Sequence, residues 1–354
     1  MANDRQLTYA QAINEAIDLS LARDPKVYVI GLGVPDTDGI FGTTRNLAKK
    51  HGPRRVFDMP VAESGMTGIA LGSALVGMRP VMTHVRVEFS MLAMDQICNQ
   101  AAKWHYMFGG QAHVPLTIRM IIGRGWGQGA QHSQSLHAWF AHIPGLKVVM
   151  PSTVYDAKGL LMAAIADDNP VILLEHRWLL GMRGHVPEGP YEVPLGQPRI
   201  ARRGRDLTIV GSSYTTLEAL RAADQLAAEG VDAEVIDLRT IAPLDDSQIL
   251  DSVRRTGHLV VADQGTLTAG FAGEIIARVT EKAFADLKSG PERVTLPDVP
   301  APATRALSNY YYPSIGHIVA AGLRQLGRAS RDPFESVRPE DLLDIPDRSF
   351  TGPF

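Results

Sequence analysis

Apolar positions along this chain follow two different spacings, and each spacing predicts a different kind of element. Residues 9–22 place apolar side chains three or four positions apart, which predicts a helix with Thr8 as its N-cap. Short, nearly continuous apolar runs, such as 27–30 and 171–175, predict buried strands. The two patterns alternate, which predicts an α/β protein whose mostly parallel sheets are covered by helices on both faces.

The same patterns divide the chain into two units. Strands are predicted at 27–30, 56–59, 80–85, 116–122, 146–150, 171–175, 207–210, 233–238 and 258–262. Helices are predicted at 9–22, 89–107, 155–166, 216–229 and 273–285, with a short helix around Trp139 and Phe140. Residues 185–205 carry four prolines and three glycines without a period, which predicts a linker. We therefore expect two doubly wound domains, at 1–184 and 206–328, and an irregular tail at 329–354.

Composition narrows the class of protein. The 354 residues are 45% hydrophobic and 21% charged, which is typical of a soluble globular protein. A net charge of -3 gives no reason to expect a nucleic acid or an anionic membrane as partner. Cys98 is the only cysteine, which excludes a disulfide within the chain. No leader and no apolar run of roughly 18 residues is present, so we expect a cytoplasmic protein.

Glu63 is the first residue with a possible chemical role. It stands between a predicted strand and a helix rich in glycine and alanine, 65–74, against which another backbone can pack closely. One interpretation is a carboxylate that favours the positive end of the helix dipole, worth roughly 0.3–1 kcal/mol. The other interpretation is a carboxylate that hydrogen-bonds a ring nitrogen of a bound heterocycle and shuttles a proton.

His132 follows a loop of glycines, 123–129, whose backbone can bend around a ligand. It is either a hydrogen-bonded loop residue or a group for proton transfer or oxyanion stabilisation at neutral pH. The loop is not a phosphate loop, because no Gly-Lys-Ser/Thr ends it. His137 and His142 have no carboxylate beside them in the sequence, so both are predicted to be structural.

A set of short motifs resembles one enzyme family. The motifs are AESG at 62–65, MDQ at 94–96, AAK at 101–103, YMFGG at 106–110, QHSQS at 131–135, IPGLKVV at 143–149, PS at 151–152, DAKGL at 156–160, DNPV at 168–171, EH at 175–176, DLRT at 237–240 and PLD at 243–245. In this order they resemble the beta subunit of the thiamine-diphosphate-dependent component of 2-oxo acid dehydrogenases. The pyruvate, branched-chain and acetoin dehydrogenase subunits share the pattern, and the resemblance covers residues 7–326.

The resemblance implies an active site divided between two chains. The beta subunit would supply a pyrimidine-binding domain and a transketolase C-terminal-like domain. A partner alpha subunit would hold the diphosphate through magnesium, in a heterotetramer of two alpha and two beta chains. The alpha chain's Gly-Asp-Gly motif does not occur here, which fits a beta subunit. A lipoyl acyltransferase core is a further implied partner.

Individual positions match the family's functional residues. Glu63 matches the residue that hydrogen-bonds the pyrimidine ring, and Phe89, with Val85, matches the apolar contact to that ring. His132 matches a histidine proposed to assist reductive acyl transfer to lipoate. A structural potassium site is implied by five oxygen-donating positions, and oxygen ligands suit a hard cation. These positions are Leu116, Ala164, Ile165, Asp167 and Asn169.

Several positions depart from the family pattern. Leu32 replaces an acidic residue associated with communication between paired active sites, and Asp263-Gln264 replaces an acidic pair. Arg124 and Trp126 are unusual in the glycine loop. His84 and Arg86 add charges before Phe89, and they either reshape the substrate pocket toward an anionic or polar 2-oxo acid or lie on a surface.

Three functions are compatible with these residues. The first is oxidative decarboxylation of a pyruvate- or acetoin-like 2-oxo acid with acyl transfer to lipoate. The second is a divergent, split transketolase-like enzyme that passes the activated aldehyde to a carbonyl acceptor. The third is a structural or regulatory subunit without turnover, which the retention of Glu63 and His132 argues against. The motif QHSQ at 131–134 favours the first, whereas the loss of the acid at Leu32 and the unusual pocket residues favour the second.

Overall fold

The computed structural model describes residues 5–124, 127–330 and 332–333. Its strands are β1 (Gln6–Thr8), β2 (Val27–Gly31), β3 (Val56–Phe57), β4 (Arg79–His84), β5 (Thr117–Ile122), β6 (Lys147–Val149), β7 (Val171–His176), β8 (Arg183–His185), β9 (Arg199–Arg202), β10 (Leu207–Gly211), β11 (Ala233–Asp237), β12 (Thr240–Ala242), β13 (Leu259–Thr266) and β14 (Glu292–Leu296). Its α-helices are α1 (Tyr9–Arg23), α2 (Leu47–His51), α3 (Glu63–Leu75), α4 (Ala102–Met107), α5 (His137–Ala141), α6 (Val154–Ala166), α7 (Tyr214–Ala228), α8 (Ser247–Thr256), α9 (Phe271–Ala283), α10 (Arg305–Tyr311) and α11 (Ile315–Gln325). Trp126 and most of the predicted tail at 329–354 lie outside the described residues.

Two large sheets organise the described residues. The first has the strand order β12-β6-β7-β5-β4-β2-β3, and the second has the order β14-β13-β10-β11-β9. Neighbouring strands are parallel except at β12–β6 and β9–β11, while β1 and β8 form a separate antiparallel pair. The prediction of an α/β fold with mostly parallel sheets is confirmed.

Alternate strand residues of the first sheet face two cores. Val29 packs in the core that α1 and α6 cover, whereas Ile30 packs in the core that α3 covers. Successive side chains of a strand point to opposite faces, so a strand buried on both sides is apolar throughout. Thr8 caps α1 as predicted, and its partner in a reciprocal capping box is Gln11.

The segment predicted as one helix at 89–107 is irregular. It begins earlier, as a 3₁₀-helix at Val87–Ala93, continues as a π-helix at Asp95–Ala101 and ends as α4. The apolar spacing did not reveal this, because such short segments bury the same side chains with i+3, i+4 or i+5 hydrogen bonds. The predicted strand 56–59 ends at Phe57, because Asp58 Oδ1 accepts hydrogen bonds from the backbone of Gly33 and Met59.

The chain crosses between the two sheets more than once. Strand β9 lies within the range 185–205 predicted as a linker and pairs with β11 of the second sheet. Strand β12 follows β11 but joins the first sheet, with Thr240 opposite Val149 of β6. Met150 N also donates a hydrogen bond of 2.7 Å to Arg239 O. The segment that follows β11 is therefore held to the first sheet by backbone hydrogen bonds.

None of the helices in the described part of the chain combines the length and the apolar character that a membrane crossing requires.

Candidate active site

The candidate site lies where β4, β5 and β7 reach their carboxyl ends. Ligands of parallel sheets bind at this edge, because the loops that follow the strands meet there. Glu63 opens α3, in the turn where helix N–H groups favour a negative charge. Glu63 as a whole is only 5% exposed to solvent. Among the described residues, no hydrogen bond or ion pair involves this carboxylate, so it is free to bind a ligand.

The helix that carries Glu63 contacts the end of β4. Thr67, one turn after Glu63, places its Oγ1 3.4 Å from His84 Nε2. Burial lowers the pKa of His84 to about 4, so this imidazole is neutral at physiological pH. His84 is therefore a buried neutral contact between α3 and β4, and it supplies no charge to the pocket.

Phe89 and His132 contact each other directly. Their ring centroids are 5.6 Å apart, and the ring planes are nearly perpendicular, at 83°. Such an edge-to-face arrangement is favourable for aromatic rings. Val85 is half-buried and follows β4 at the start of the segment that carries Phe89. The fold thus joins three of the predicted site residues, which are 47 positions apart in the sequence at most.

Two charged side chains near Phe89 form hydrogen bonds to the backbone of the His132 loop, residues 127–136. Arg86 Nη1 donates a hydrogen bond of 3.0 Å to the carbonyl oxygen of His132. Glu88 Oε1 accepts one of 2.7 Å from the backbone N–H of Gln134. Burial raises the pKa of the Glu88 carboxyl. Sequence reasoning noticed the charge of Arg86 but not its partner, and it missed Glu88.

Arg177 was also missed. It is fully buried, and its Nη1 donates to Gln128 Oε1 at 2.7 Å. Burial, followed by the neighbouring charge of Arg86, lowers the pKa of Arg177 to about 9. Its Nε and Nη2 have no hydrogen-bond partner within the ranges that the structure describes. The sequence feature that could have identified Arg177 is its position directly after β7, at the carboxyl edge of the sheet.

Arg124, which is unusual for the family, packs between the two domains. Its guanidinium lies 3.7 Å from the ring centroid of Trp178 and 4.4 Å from that of Tyr312. Stacking of this kind is favourable for a planar cation. Burial raises the pKa of the Glu218 carboxyl to about 7. The positive charge of Arg124 lowers this pKa but does not cancel the effect of burial.

His137 has a carboxylate partner, which corrects one expectation. Its Nε2 lies 2.8 Å from Asp263 Oδ1, and both side chains are buried. Asp263 stands 126 positions later, so no local spacing could reveal the pair. Burial opposes the ionised form of Asp263, but the charge of His137 prevails and lowers the pKa of this carboxyl. The role of His137 remains structural, because the pair joins the two domains.

The five positions predicted to hold potassium lie around the end of α6. The four carbonyl oxygens at these positions all accept hydrogen bonds within the chain. Ala164 O accepts from Thr117 Oγ1 at 3.0 Å, and Leu116 O accepts from the N–H of Val171 at 3.0 Å. The side-chain oxygen of Asn169 is buried without a hydrogen-bond partner in the described part of the chain. An orphaned amide oxygen beside several carbonyls fits a hard cation.

Arg79 forms hydrogen bonds to two of the carbonyl oxygens that are predicted to hold potassium. Its Nη1 donates to the carbonyl oxygens of Ile165 and Asp167, at 3.2 and 3.0 Å. A carbonyl oxygen has two lone pairs, so it can accept from Arg79 and still face a cation. No group of three His, Cys, Asp or Glu side chains suited to a metal ion occurs among the residues that the structure describes.

Comparisons with protein families and known proteins agree with this architecture. Residues 5–182 match the transketolase pyrimidine-binding domain, and residues 196–318 match the transketolase C-terminal domain. Among solved structures, the chain resembles a split gene transketolase described as an inactive beta4 tetramer. The TM-score is 0.74 and the identity 25%, with 91% of this chain and 99% of that one covered.

Curated relatives are more similar. The acetoin:2,6-dichlorophenolindophenol oxidoreductase subunit beta of Cupriavidus necator is 46% identical over 332 residues, which cover 91% of this chain and 98% of the relative. The pyruvate dehydrogenase E1 component subunit beta-1 of Arabidopsis thaliana is 43% identical, with 93% and 92% covered. These matches confirm the expected family. The chain therefore belongs to the transketolase-like beta subunits, the family of the acetoin and pyruvate dehydrogenase beta subunits.

Proposed function

We propose that this chain is the beta subunit of a thiamine-diphosphate-dependent 2-oxo acid dehydrogenase that acts on a pyruvate- or acetoin-like substrate. It would work only with an alpha subunit, in a heterotetramer of two alpha and two beta chains. The reaction would be oxidative decarboxylation of the 2-oxo acid, with acyl transfer to lipoate. The similarity to the acetoin and pyruvate enzymes' beta subunits supports this assignment.

The observation that carries the proposal is Glu63, a residue 5% exposed at the start of α3, whose carboxylate has no hydrogen-bond partner among the described residues. A carboxyl group in this position is free to form a hydrogen bond with a ring nitrogen of a bound heterocycle. The residue therefore fits the pyrimidine ring of thiamine diphosphate. Glu63 would form a hydrogen bond with a ring nitrogen and exchange a proton with it. Phe89 and Val85 would form the apolar wall that orients the ring.

When bound, thiamine diphosphate supplies the carbon nucleophile and the electron sink that decarboxylation needs. The chain's own contribution is to orient the cofactor and to control protons around it. His132, whose ring is held at the edge of Phe89, would donate a hydrogen bond or a proton at the site of acyl transfer. Magnesium and the diphosphate would be held mainly by the alpha subunit. Potassium would be held at the end of α6, with Asn169 as one ligand.

The first test is activity in the presence of the partner. The chain would be co-expressed with its alpha-type partner, and reduction of an artificial dye would be measured with thiamine diphosphate, magnesium and a panel of 2-oxo acids. We expect activity that requires both chains. Glu63→Ala should lower kcat by about 10²-fold or more, the usual scale for losing a proton-transfer group.

A second variant at the same position, Glu63→Gln, separates catalysis from folding. Glu63 has no hydrogen-bond partner within the described part of its own chain, so Glu63→Gln should leave the melting temperature of the subunit unchanged or raise it while activity is lost. Cofactor binding without decarboxylation of any 2-oxo acid would contradict the dehydrogenase assignment and favour transfer of the aldehyde to a carbonyl acceptor. Absence of cofactor binding, even with the partner, would leave only a structural subunit.

A further inference from the structure

We propose that Arg86 and Glu88 are positioning residues that fix the backbone of the His132 loop for acyl transfer to a lipoyl group. The inference rests on the function proposed above. Its basis is a pair of hydrogen bonds on either side of Ser133: Arg86 Nη1 to His132 O, at 3.0 Å, and Gln134 N to Glu88 Oε1, at 2.7 Å. Arg86 and Glu88 both lie in the short segment that also carries Phe89.

The loop needs such support because it has little regular structure of its own. No helix or strand includes residues 127–136. Its backbone bonds include Gly123 N to Gln134 O at 3.1 Å and a long one, His132 N to Gly129 O, at 3.4 Å. Backbone groups near a buried site require partners, and here two charged side chains supply them. Hydrogen bonds to charged groups are stronger than neutral ones, so they hold the loop more firmly.

The two bonds also fix where the imidazole lies. Ser133, between the two bonded backbone groups, is buried, and Phe89 meets the His132 ring edge to face at 5.6 Å. Arg86 and Glu88 stand three and one positions before Phe89, so one short segment sets both the loop and the ring against it. A misplacement of a catalytic group by about 1 Å can cost about 10²-fold in rate, so this arrangement is expected to matter for turnover.

The charges around the loop are consistent with this role. Arg86 is buried, and Glu88 is half-buried beside it. Arg177, fully buried nearby, adds a second positive charge that Glu88 partly balances. Arg86 holds the loop in place because its Nη1 donates a hydrogen bond to His132 O. A direct role in binding the substrate carboxylate is the competing assignment, and the experiment below separates the two.

The experiment uses the complete enzyme with its alpha subunit and two readouts. One readout is 2-oxo acid-dependent dye reduction, and the other is acylation of a lipoyl-bearing protein domain. Glu88→Ala removes the acceptor for Gln134 N, whereas Glu88→Gln keeps a carbonyl oxygen there. We expect Glu88→Ala to slow lipoyl acylation by about 10- to 100-fold and dye reduction by less than about 3-fold. Glu88→Gln should restore acylation to within about 3-fold of the original enzyme.

Arg86 provides an independent pair of variants. Arg86→Met removes the donor to His132 O, whereas Arg86→Lys retains a cation with N–H donors on a similar stem. We expect the same division, with slower lipoyl acylation in Arg86→Met and partial recovery in Arg86→Lys. A rise in the KM for the 2-oxo acid in Arg86→Met, with lipoyl acylation intact, would instead identify Arg86 as a substrate-binding residue and overturn the inference. Glu274→Ala, an exposed carboxylate paired with Arg278, is the matched control.

His132→Ala separates failure of this inference from failure of the proposed function. If His132→Ala leaves lipoyl acylation unchanged, the role proposed for His132 is wrong and the positioning role falls with it. If His132→Ala slows acylation but Glu88→Ala and Arg86→Met do not, only the positioning inference is overturned. Equal losses in both readouts, with a lowered melting temperature, would show a general structural role and would also overturn it.

Discussion

At the scale of single residues, Gly123 occupies a position that tolerates no other side chain without strain. Its φ is +86°, and a Cβ added there would lie 2.2 Å from Nε2 of His176. That imidazole is buried and stacked on Tyr214, with ring centroids 4.7 Å apart, so it has no room to move. Gly123 N also donates to Gln134 O, which ties this position to the His132 loop. The residue thus couples backbone conformation to the geometry of the site.

Gly123→Ala is therefore expected to destabilise the subunit strongly. The positive φ costs about 1–2 kcal/mol for a residue with a Cβ, and the clash with His176 adds about 1–3 kcal/mol of overpacking. Thermal unfolding of the two variants Gly123→Ala and Gly189→Ala gives the measurement. Gly189 has φ +73° but no atom within 4 Å of an added Cβ, so it should show only the backbone cost. Equal losses in the two variants would show that the contact with His176 is unimportant.

Residue-level reasoning from sequence succeeded where a residue type was unusual for its surroundings. Glu63 at the start of a small-residue helix and His132 after a glycine loop were both singled out, and their roles stay predictions. Glu88 was missed, because a glutamate between Val87 and Phe89 looks like an ordinary surface charge. Its partner is a backbone group 46 positions later, and no local pattern encodes that contact.

At the scale of elements, helix α7 carries a buried acid at the boundary between the domains. Glu218 is 8% exposed, and burial raises its pKa from 4.5 to about 7, although Arg124 and Arg221 lower it. The folded subunit therefore binds this proton more tightly than the unfolded chain does. Its contribution to stability is fully present below pH 4.5 and is lost as the pH rises through 7.

We expect Glu218→Gln to remove this pH dependence. The variant keeps the shape of the side chain but does not titrate, so it should gain stability over the original subunit as the pH rises from 5 to 8. The gain should approach at most about 3.5 kcal/mol above pH 8, from about 1.4 kcal/mol per pKa unit. Melting temperatures across this range would test it, with Glu274→Gln as an exposed control. Parallel curves for Glu218→Gln and the original subunit would contradict a raised pKa.

Element types were predictable where one period was strong, and boundaries were not. The helix at 9–22 and the strands at 27–30 and 171–175 were found within one or two residues. Strand β9 was missed because its sequence, Arg-Ile-Ala-Arg, has one apolar pair among charges. It becomes a strand through pairing with β11, and such tertiary pairing overrides weak local propensity.

At the scale of the whole molecule, one face of α3 is apolar and uncovered in the single subunit. Ile69 is 60% exposed, and Val61 and Val76 near the two ends of the helix are 73% and 81% exposed. An added Cβ at Gly65 or Gly72 would meet no atom within 4 Å. Exposed apolar surface of this kind is typical of a protein interface, and small residues let a partner backbone approach closely. We expect the alpha subunit to cover this face.

Ile69→Lys should therefore weaken assembly without unfolding the subunit. A charge in the centre of an apolar interface must be desolvated, which we expect to lower the affinity for the alpha chain by about 10-fold or more. Co-purification and sedimentation of the mixed chains would measure it, with the melting temperature as a check on folding. Phe284→Lys, at a side chain 72% exposed in the second domain, serves as the control. Equal assembly of Ile69→Lys and the original chain would place the interface elsewhere.

The sequence by itself determined the alternation of strands and helices, the mostly parallel sheets and the family. These properties follow from local periodicity and from motifs that stand close together, so each short segment carries its own signal. Glu63 and His132, for which a chemical role is proposed, were visible for the same reason. The unusual charge of Arg86 was also visible in the sequence, but its hydrogen bond to the carbonyl oxygen of His132 was not.

Only the tertiary structure decided which distant groups meet. Strand β12 crosses into the first sheet, His137 finds Asp263, and Arg86 finds the carbonyl of His132. Each of these contacts depends on how the chain returns through space, and a hydrogen bond leaves no pattern in the residues between its partners. Burial acts in the same way, because the pKa values of His84 and Glu218 are set by what packs around them.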